Sequence, residues 1–347
     1  MKKHIIALSI VSSMIGLSCS TEELDQLQNT SDENVNNTVE KRVRPIVPAP
    51  VFAHQGGCGT TIPTKTPVWV NDDYSQYTSS FSPLPPLNIH VKYHIVRKSD
   101  GTDGIPLSDL DIMTQQLNDD FEQPLYGCIA FNHSPSRIRF LNDRDVNYID
   151  ISSYQIISTS TSDTSLIAPE YDALILEDNN ETDLNVYVIK GFEVPSSVQI
   201  YSKAVMNGNS VVVAREENAH KSPHLTHGVG HNLGLYHTWH RNNVCDLKTR
   251  PCDGTIGDFI EDTPIVNSTT YLSINERCEY YRYTASSCNG TTIQIPKANA
   301  IFNAKNIMSR KPLRSDCRIG FTAVQHLRLN QTAINLGLTQ EESPFAK

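Results

Sequence analysis

The sequence predicts an α/β (α+β) fold: a domain over 87–340 in which helices back a twisted mixed sheet and an irregular, disulfide-linked subdomain forms the C-terminal part. Three observations support this prediction. Strand-like apolar stretches alternate with helical periodicity, an order typical of mixed α/β domains. The stretch HLTHGVGHNLGLYHTWH at 224–240 has helical spacing, and five of the eight cysteines come after it.

The first two predicted elements open the domain. LNIHVKYHIV at 87–96 alternates apolar and polar residues, as a half-buried strand does. LSDLDIMTQQLNDDFEQ at 107–123 has apolar side chains at helical spacing from Leu107 onward. Ser108 is the expected N-cap of this helix.

Three more strands and two helices are predicted further along. SRIRFLN at 136–142, DLNVYVIKGF at 183–192 and SVVVAREE at 210–217 are strand-like, and the second is apolar enough to be central in a sheet. The histidine-rich helix follows. The last helix is expected at 322–337, with Thr322 as its N-cap.

The N-terminal part is predicted to be an export signal and an anchor. Residues 1–18 carry two lysines and an apolar run that is too short to span a membrane. Cys19 resembles the acylated cysteine of bacterial lipoproteins, and the acidic STEELD after it resembles a surface-export tag. We therefore expect an outer-membrane lipoprotein that faces outward, with a cleaved, secreted protein as the alternative. Residues 19–50 are predicted to be a flexible tether, and 51–86 a pro-segment or N-terminal arm.

The composition excludes some partners. The formal net charge is -9, and no basic cluster of the size that binds nucleic acid is present. The expected partners are an extended peptide or protein ligand and, through the anchor, a membrane. The chain is expected to be a monomer.

The histidine-rich stretch has the spacing of a metal site. His227 and His231 are four residues apart, so a helix places both imidazoles on one face. Gly234 allows the chain to leave the helix with a positive φ, and His237 then returns as a third ligand. The alternative is a histidine-rich surface helix without a metal. Gly234 and His237 at these offsets favour zinc.

This stretch resembles the metzincin signature His-Glu-x-x-His-x-x-Gly-x-x-His. LTHGVGHNLGLYHTW is similar to LTHEVGHWLGLYHTF of the pappalysin family, which includes cytophagalysin-like bacterial members. GDFIEDTP at 257–264 resembles that family's Gly-Asp-x-x-x-Asp-Thr-Pro element. NIMSR at 306–310 and SDCRIGFT at 315–322 resemble its methionine turn, centred here on Met308, and the segment after it. The resemblance covers about 87–338 and implies a metzincin fold, with an upper subdomain over 87–234 and a lower one over 235–340.

Two positions depart from the family pattern. Gly228 stands where relatives have the glutamate that transfers protons during hydrolysis, a role that needs a side chain. Arg310 stands where relatives have a tyrosine that helps to stabilise the tetrahedral intermediate. Glu216, Glu217 and Asp262 are candidates for a substitute base.

The resemblance also implies bridges and a latency switch. Cys245, Cys278, Cys288 and Cys317 match four family cysteines, which implies the pairs Cys245–Cys288 and Cys278–Cys317, although four cysteines allow three connectivities. Cys252 is additional, and Cys128 is a possible partner for it. Cys58 in GGCGTT resembles a family cysteine that keeps the enzyme latent by binding zinc. An unpaired or differently paired arm cysteine is the alternative.

Two acidic features are implied in the same way. Asp258, Glu261 and Asp262 crowd one loop, and relatives carry calcium in this region, although a solvated acidic loop is the alternative. Asp316 matches a residue that selects Arg or Lys after the scissile bond.

These observations predict an exported zinc-binding protein of the pappalysin type that hydrolyses peptides poorly or not at all, a pseudoprotease or peptide-binding module. The alternative is an active zinc metalloendopeptidase that cleaves next to Arg or Lys with a substitute base. A structural surface lipoprotein without a metal is a third possibility.

Overall fold

A computed structural model provides the structure of the chain. It describes residues 57–58, 86–125, 136–142, 145–158, 173–175, 182–193, 200–238, 258, 260, 262–263, 271–274, 280–286, 292–294, 305–309 and 317–340. All of them lie in one compact unit, Pro48–Lys347. The predicted signal, tether and lipidated Cys19 lie outside the described residues.

The elements whose bounds the structure describes include thirteen strands and three α-helices. In chain order they are β1 (Gly57–Cys58), β2 (Leu87–Arg97), α1 (Leu107–Glu122), β3 (Ile138–Leu141), β4 (Val146–Asp150), β5 (Ile156–Ser158), β6 (Leu184–Ile189), β7 (Gly191–Glu193), β8 (Ile200–Ala204), β9 (Ser210–Ala214), α2 (Pro223–Asn232), β10 (Tyr271–Ile274), β11 (Tyr280–Ser286), β12 (Thr292–Gln294), α3 (Ala323–Asn335) and β13 (Thr339–Gln340).

The main sheet is mixed, which confirms the predicted α/β class. It has eight strands, and its longest path runs β1-β8-β9-β6-β2-β13. The pairs β2–β6 and β6–β9 are parallel, whereas β8–β9 and β13–β2 are antiparallel. β4 and β6 both pair with 93–95 of β2, so they lie on opposite edges of that strand. A separate three-stranded sheet contains β10, β11 and β12.

Alternation along the strands gives the sheet two apolar faces. Val211 and Val213 of β9 belong to a large core with the apolar side chains of α1 and α2, whereas Val212 points to a second, smaller core. Tyr93 and Val186 lie on the same side as α1 and α2. The two long helices before residue 240 therefore back the same face, as a period of two along each strand requires.

Several predicted elements change in detail. Helix α1 begins at Leu107, but its N-cap is Pro106, which makes no side-chain cap bond, so Ser108 is not the cap. Leu107 is 58% exposed because it lies at the start of α1, before the first buried side chain of the helix. The strand predicted at 183–192 divides into β6 and β7.

The last helix matches its prediction at the N-terminus. Thr322 caps α3, with its hydroxyl accepting a hydrogen bond from Gln325 N while the Gln325 side chain accepts one from Thr322 N. This reciprocal pair is a capping box. Within the described residues, none of the helices has the length and apolar character needed to cross a bilayer.

Candidate metal centre

The histidine helix α2 starts at a well-defined cap. Ser222 accepts a hydrogen bond from His224 N, and Pro223 occupies the first turn, where its missing N–H costs no helical bond. Thr226 on the first turn donates from Oγ1 to Asp120 Oδ2 of α1 at 2.5 Å. This contact attaches the helix to α1 one residue before His227.

The helix ends where the sequence predicted. Gly234 has φ +88°, in the left-handed region that glycine occupies without strain. Gly234 N donates to His231 O, and Leu235 N donates to Gly230 O. This turn satisfies the last helical carbonyls and brings the chain back toward the helix, where His237 joins the other two histidines.

The three predicted ligands meet at one point. The Nε2 atom of His227 lies 3.1 Å from that of His237, and the Nε2 atom of His231 lies 3.2 Å from each of the other two. All three residues are at most 2% exposed. Among the described residues they form the cluster of side chains able to hold a metal ion.

The hydrogen bonds of two rings fix their tautomers. His227 Nδ1 lies 2.7 Å from Ile307 O, and His231 Nδ1 lies 2.7 Å from Leu235 O. A carbonyl only accepts, so both Nδ1 atoms carry the proton and both Nε2 atoms present a lone pair. Two buried lone pairs at 3.2 Å repel each other unless a cation lies between them.

The geometry fits zinc. Ligand nitrogens at about 2.0–2.1 Å from a tetrahedral zinc are separated by about 3.3–3.4 Å, close to the spacing of the three Nε2 atoms. Burial, with the nearby His231 and Arg318, holds the pKa of His227 well below its ordinary value. His227 is therefore neutral at pH 7, as a metal ligand must be.

The predicted methionine turn lies beneath the histidines. Met308 is fully buried, and a Cβ added at Gly230 would lie 2.6 Å from its sulfur, so helix and turn approach closely because residue 230 lacks a side chain. Met308 N donates to Asn306 Oδ1, and Thr238 N donates to Met308 O. The turn therefore holds the segment that carries His237.

Gly228 faces the sheet. A Cβ added there would lie 2.6 Å from Val211 Cγ2 on β9 and 3.7 Å from Ser202 Cβ and Oγ on β8. Ser202 Oγ is buried and has no hydrogen-bond partner within the part of the chain that the structure describes. The position of the missing glutamate thus faces two strands, and of these nearest atoms it is the Val211 methyl that lies closer than van der Waals contact.

The two candidate substitute bases with described side chains lie against other residues. The Glu216 carboxylate covers Gly191 so closely that a Cβ added at that glycine would collide with it. Asp262 accepts from Thr322 Oγ1 at 2.6 Å and from Val324 N at 3.1 Å, which caps helix α3. The Glu217 side chain lies outside the described residues.

The described residues of the acidic loop make hydrogen bonds that stabilise the loop itself. Asp258 accepts at Oδ1 from Ile260 N and from Thr263 Oγ1, which closes a turn. Burial raises the pKa of Asp258 well above its ordinary value. Glu261 lies outside the described residues, so calcium binding by this loop stays a prediction.

The N-terminal arm reaches the sheet edge beside the site. The backbone of β1 pairs in parallel with β8, with Gly57 opposite Ile200 and Cys58 opposite Ser202, and β1 also contacts α2. The backbone of Cys58 therefore neighbours a residue that faces position 228.

The remaining predicted residues are only partly described. Cys317 is disulfide-bonded, as expected. Arg310, Asp316 and cysteines 245, 278 and 288 lie outside the described residues, so the pairing, the specificity pocket and the role of Arg310 stay predictions.

Several residues of the centre had no recognised signal in the sequence. They are Ile307, whose carbonyl orients His227; Asp120, which binds Thr226; Gln325, which holds Asn306; and Val211 and Ser202, which face Gly228. Each acts through a contact between residues far apart in the chain, which spacing within one segment does not reveal.

Comparisons with known proteins agree with this centre. Residues 179–333 match the sequence profile of the peptidase family described as pregnancy-associated plasma protein-A. An extracellular metalloprotease of Colletotrichum graminicola is 26% identical over 256 residues, covering 68% of this chain and 79% of that protein.

Two solved structures are similar at lower identity. Mature mirolysin of Tannerella forsythia in complex with a cleaved peptide is 18% identical, with a TM-score of 0.46 over 72% of this chain and 92% of that chain. Metalloproteinase-II from Bacteroides fragilis is 12% identical, with a TM-score of 0.28 over 46% of this chain and 45% of that chain.

Proposed function

We propose that this chain, which matches a peptidase family over residues 179–333 and resembles an extracellular metalloprotease, binds zinc through His227, His231 and His237 but hydrolyses peptides poorly or not at all. One observation carries the proposal. The three buried Nε2 atoms converge at metal-binding distances, while the residue after the first histidine is Gly228, which faces Val211.

The residues present would hold zinc and orient it. Hydrogen bonds to Ile307 O and Leu235 O direct the Nε2 atoms of His227 and His231 to one point. Zinc held by these residues would supply the Lewis acidity that peptide hydrolysis requires. Met308 and Thr238 hold the third ligand in place.

The chain has no side chain at 228 to move the proton. General acid–base groups contribute typically ~10²–10⁴-fold to turnover, and in peptide hydrolysis the same group also protonates the leaving amine. Glu216 and Asp262, two possible substitutes, make other contacts. We therefore assign the chain a binding role in which hydrolysis is at most residual.

The ligand of this role is an extended peptide lying along β8. The outer edge of β8 pairs with the backbone of β1, which shows that this edge can bind an added strand. Release of the arm would open this edge to a ligand. Lipid anchoring at Cys19 would hold the protein on the outer membrane, facing outward; metabolic labelling with palmitate, compared between the unaltered chain and Cys19→Ala, tests that part.

The central test measures zinc and turnover together. Purified protein should carry close to one zinc per chain, and His231→Ala should lose it. Peptides containing Arg or Lys should be cleaved at no more than a trace rate. Robust cleavage that is abolished by a chelator and by His227→Ala would contradict the proposal and would indicate a working endopeptidase. Absence of zinc from purified protein would favour a structural role without a metal.

A further inference from the structure

The closest approach to Gly228 comes from a core side chain. The Cβ of any residue at this position would lie 2.6 Å from Val211 Cγ2. Carbon atoms that are not bonded reach their energy minimum at about 3.5–4.0 Å, so such a Cβ overlaps the methyl group. Any side chain at 228, including a glutamate, requires one of the two elements to move.

Val211 has little freedom to give way. Its side chain is fully buried, and it is β-branched, so few rotamers are open to it. Its backbone is in the interior of the sheet, opposite Val186 of β6 on one edge and Ala204 of β8 on the other. Movement of Val211 would therefore disturb two strand pairs as well as the core.

We propose that Val211 closes the general-base position, so that core packing maintains the loss of the glutamate and Gly228→Glu alone does not reverse it. Val211 is a positioning residue for position 228. The inference rests on the proposed function for its consequence for hydrolysis, whereas the packing claim stands by itself.

The packing claim is tested by combining changes at 228 and 211. Alanine in place of glycine in a helix interior ordinarily raises Tm, by about 2–4 °C in a domain of this size. Here Gly228→Ala should instead lower Tm, by up to roughly 8 °C, because overpacking of the core at about 1–3 kcal/mol outweighs the helix gain of about 1 kcal/mol. Once Val211→Ala has removed the methyl groups, Gly228→Ala should raise Tm.

Val213→Ala is the matched control. Val213 is on the same strand, on the same face and equally buried, but the three atoms nearest to a Cβ at 228 belong to Val211 and Ser202. In this background Gly228→Ala should still lower Tm. A rise of Tm with Gly228→Ala in the unaltered chain, or the same response in both alanine backgrounds, would overturn the inference.

The consequence for hydrolysis is tested with Gly228→Glu in the same three backgrounds, each loaded with zinc and checked for its zinc content. The peptidase kcat/KM of the Gly228→Glu protein should be at least roughly tenfold higher in the Val211→Ala background than in the unaltered or the Val213→Ala background. Partial recovery of an acid–base group allows an increase of this size. Equal turnover in all three backgrounds, including the absence of turnover in every one of them, would overturn this consequence. If Gly228→Glu alone does not fold, the yield of soluble protein replaces turnover, and only Val211→Ala should restore it.

The two proposals fail in different ways. Chelator-sensitive cleavage by the unaltered chain contradicts the proposed function and leaves the Tm result intact. A missing Tm coupling between 228 and 211 overturns the inference and leaves the zinc and turnover results of the unaltered chain intact.

Discussion

Asp120→Asn should change how the stability of this protein depends on pH. Asp120 is on α1, 5% exposed, and accepts hydrogen bonds from Thr226 Oγ1 of the histidine helix at 2.5 Å and from Gln116 Nε2 at 2.8 Å. Burial raises the pKa of Asp120 from 3.8 to about 6, against the opposing effect of these two bonds. The buried carboxyl is therefore favoured in its neutral form.

The sign follows from the raised pKa. Below about pH 4 the carboxyl is protonated in both the folded and the unfolded chain. As the pH rises through about 6, ionisation costs more in the folded protein, so the stability associated with the neutral form is lost. A rise from 3.8 to about 6 corresponds to on the order of 3 kcal/mol. Asparagine stays neutral, so the variant should gain about that much relative to the unaltered chain between pH 4 and pH 7.

The assay is urea unfolding of both proteins in half-unit steps from pH 4 to pH 8. Their difference cancels the contributions of zinc and of the histidines that they share. The control is Asp119→Asn on the exposed face, where Asp119 likewise accepts from a glutamine four residues earlier, Gln115. Because the Asp119 charge is the smallest of the causes that shift the pKa of Asp120, this control should change the pH dependence much less than Asp120→Asn. A difference between Asp120→Asn and the unaltered chain that stays constant within about 0.5 kcal/mol over this range would refute the argument.

Three further outcomes are expected. Removing zinc with a chelator should lower the free energy of unfolding by about 2.7 kcal/mol, compared with protein at a free zinc concentration of about a hundred times the Kd. This difference should vanish in His231→Ala. An equal response in both proteins would contradict the zinc site. Adding Arg310→Tyr to the most active Gly228→Glu variant should raise kcat further, because a tyrosine hydroxyl would again assist at the developing negative charge; unchanged kcat would remove Arg310 from the explanation. Asp262→Ala should cost about 1–3 kcal/mol in urea unfolding, because Thr322 Oγ1 and the first turn of α3 lose their acceptor; if calcium raises Tm of the unaltered chain but not of this variant, the carboxylate also binds the ion.

Local spacing was sufficient for the metal ligands. His227 and His231 share a helix face because of the 3.6-residue period, and Gly234 adopts a positive φ because no other residue does so at so little cost. The same reasoning found α1, the central strand β6 and the cap at Thr322. It failed at Ser108, because periodicity marks a helix more reliably than it marks the first residue.

Residues close together in the chain were enough to predict the helices, the three histidine ligands and the lack of a base at Gly228. The folded structure was needed to show that Ile307 O orients His227, that Asp262 caps α3 and that Val211 lies against position 228. These contacts join residues from different elements, and their partners depend on how the sheet pairs and how closely the helix packs on it. Geometry within a segment is set by the backbone periods, whereas contacts between segments are set by the packing of the whole core.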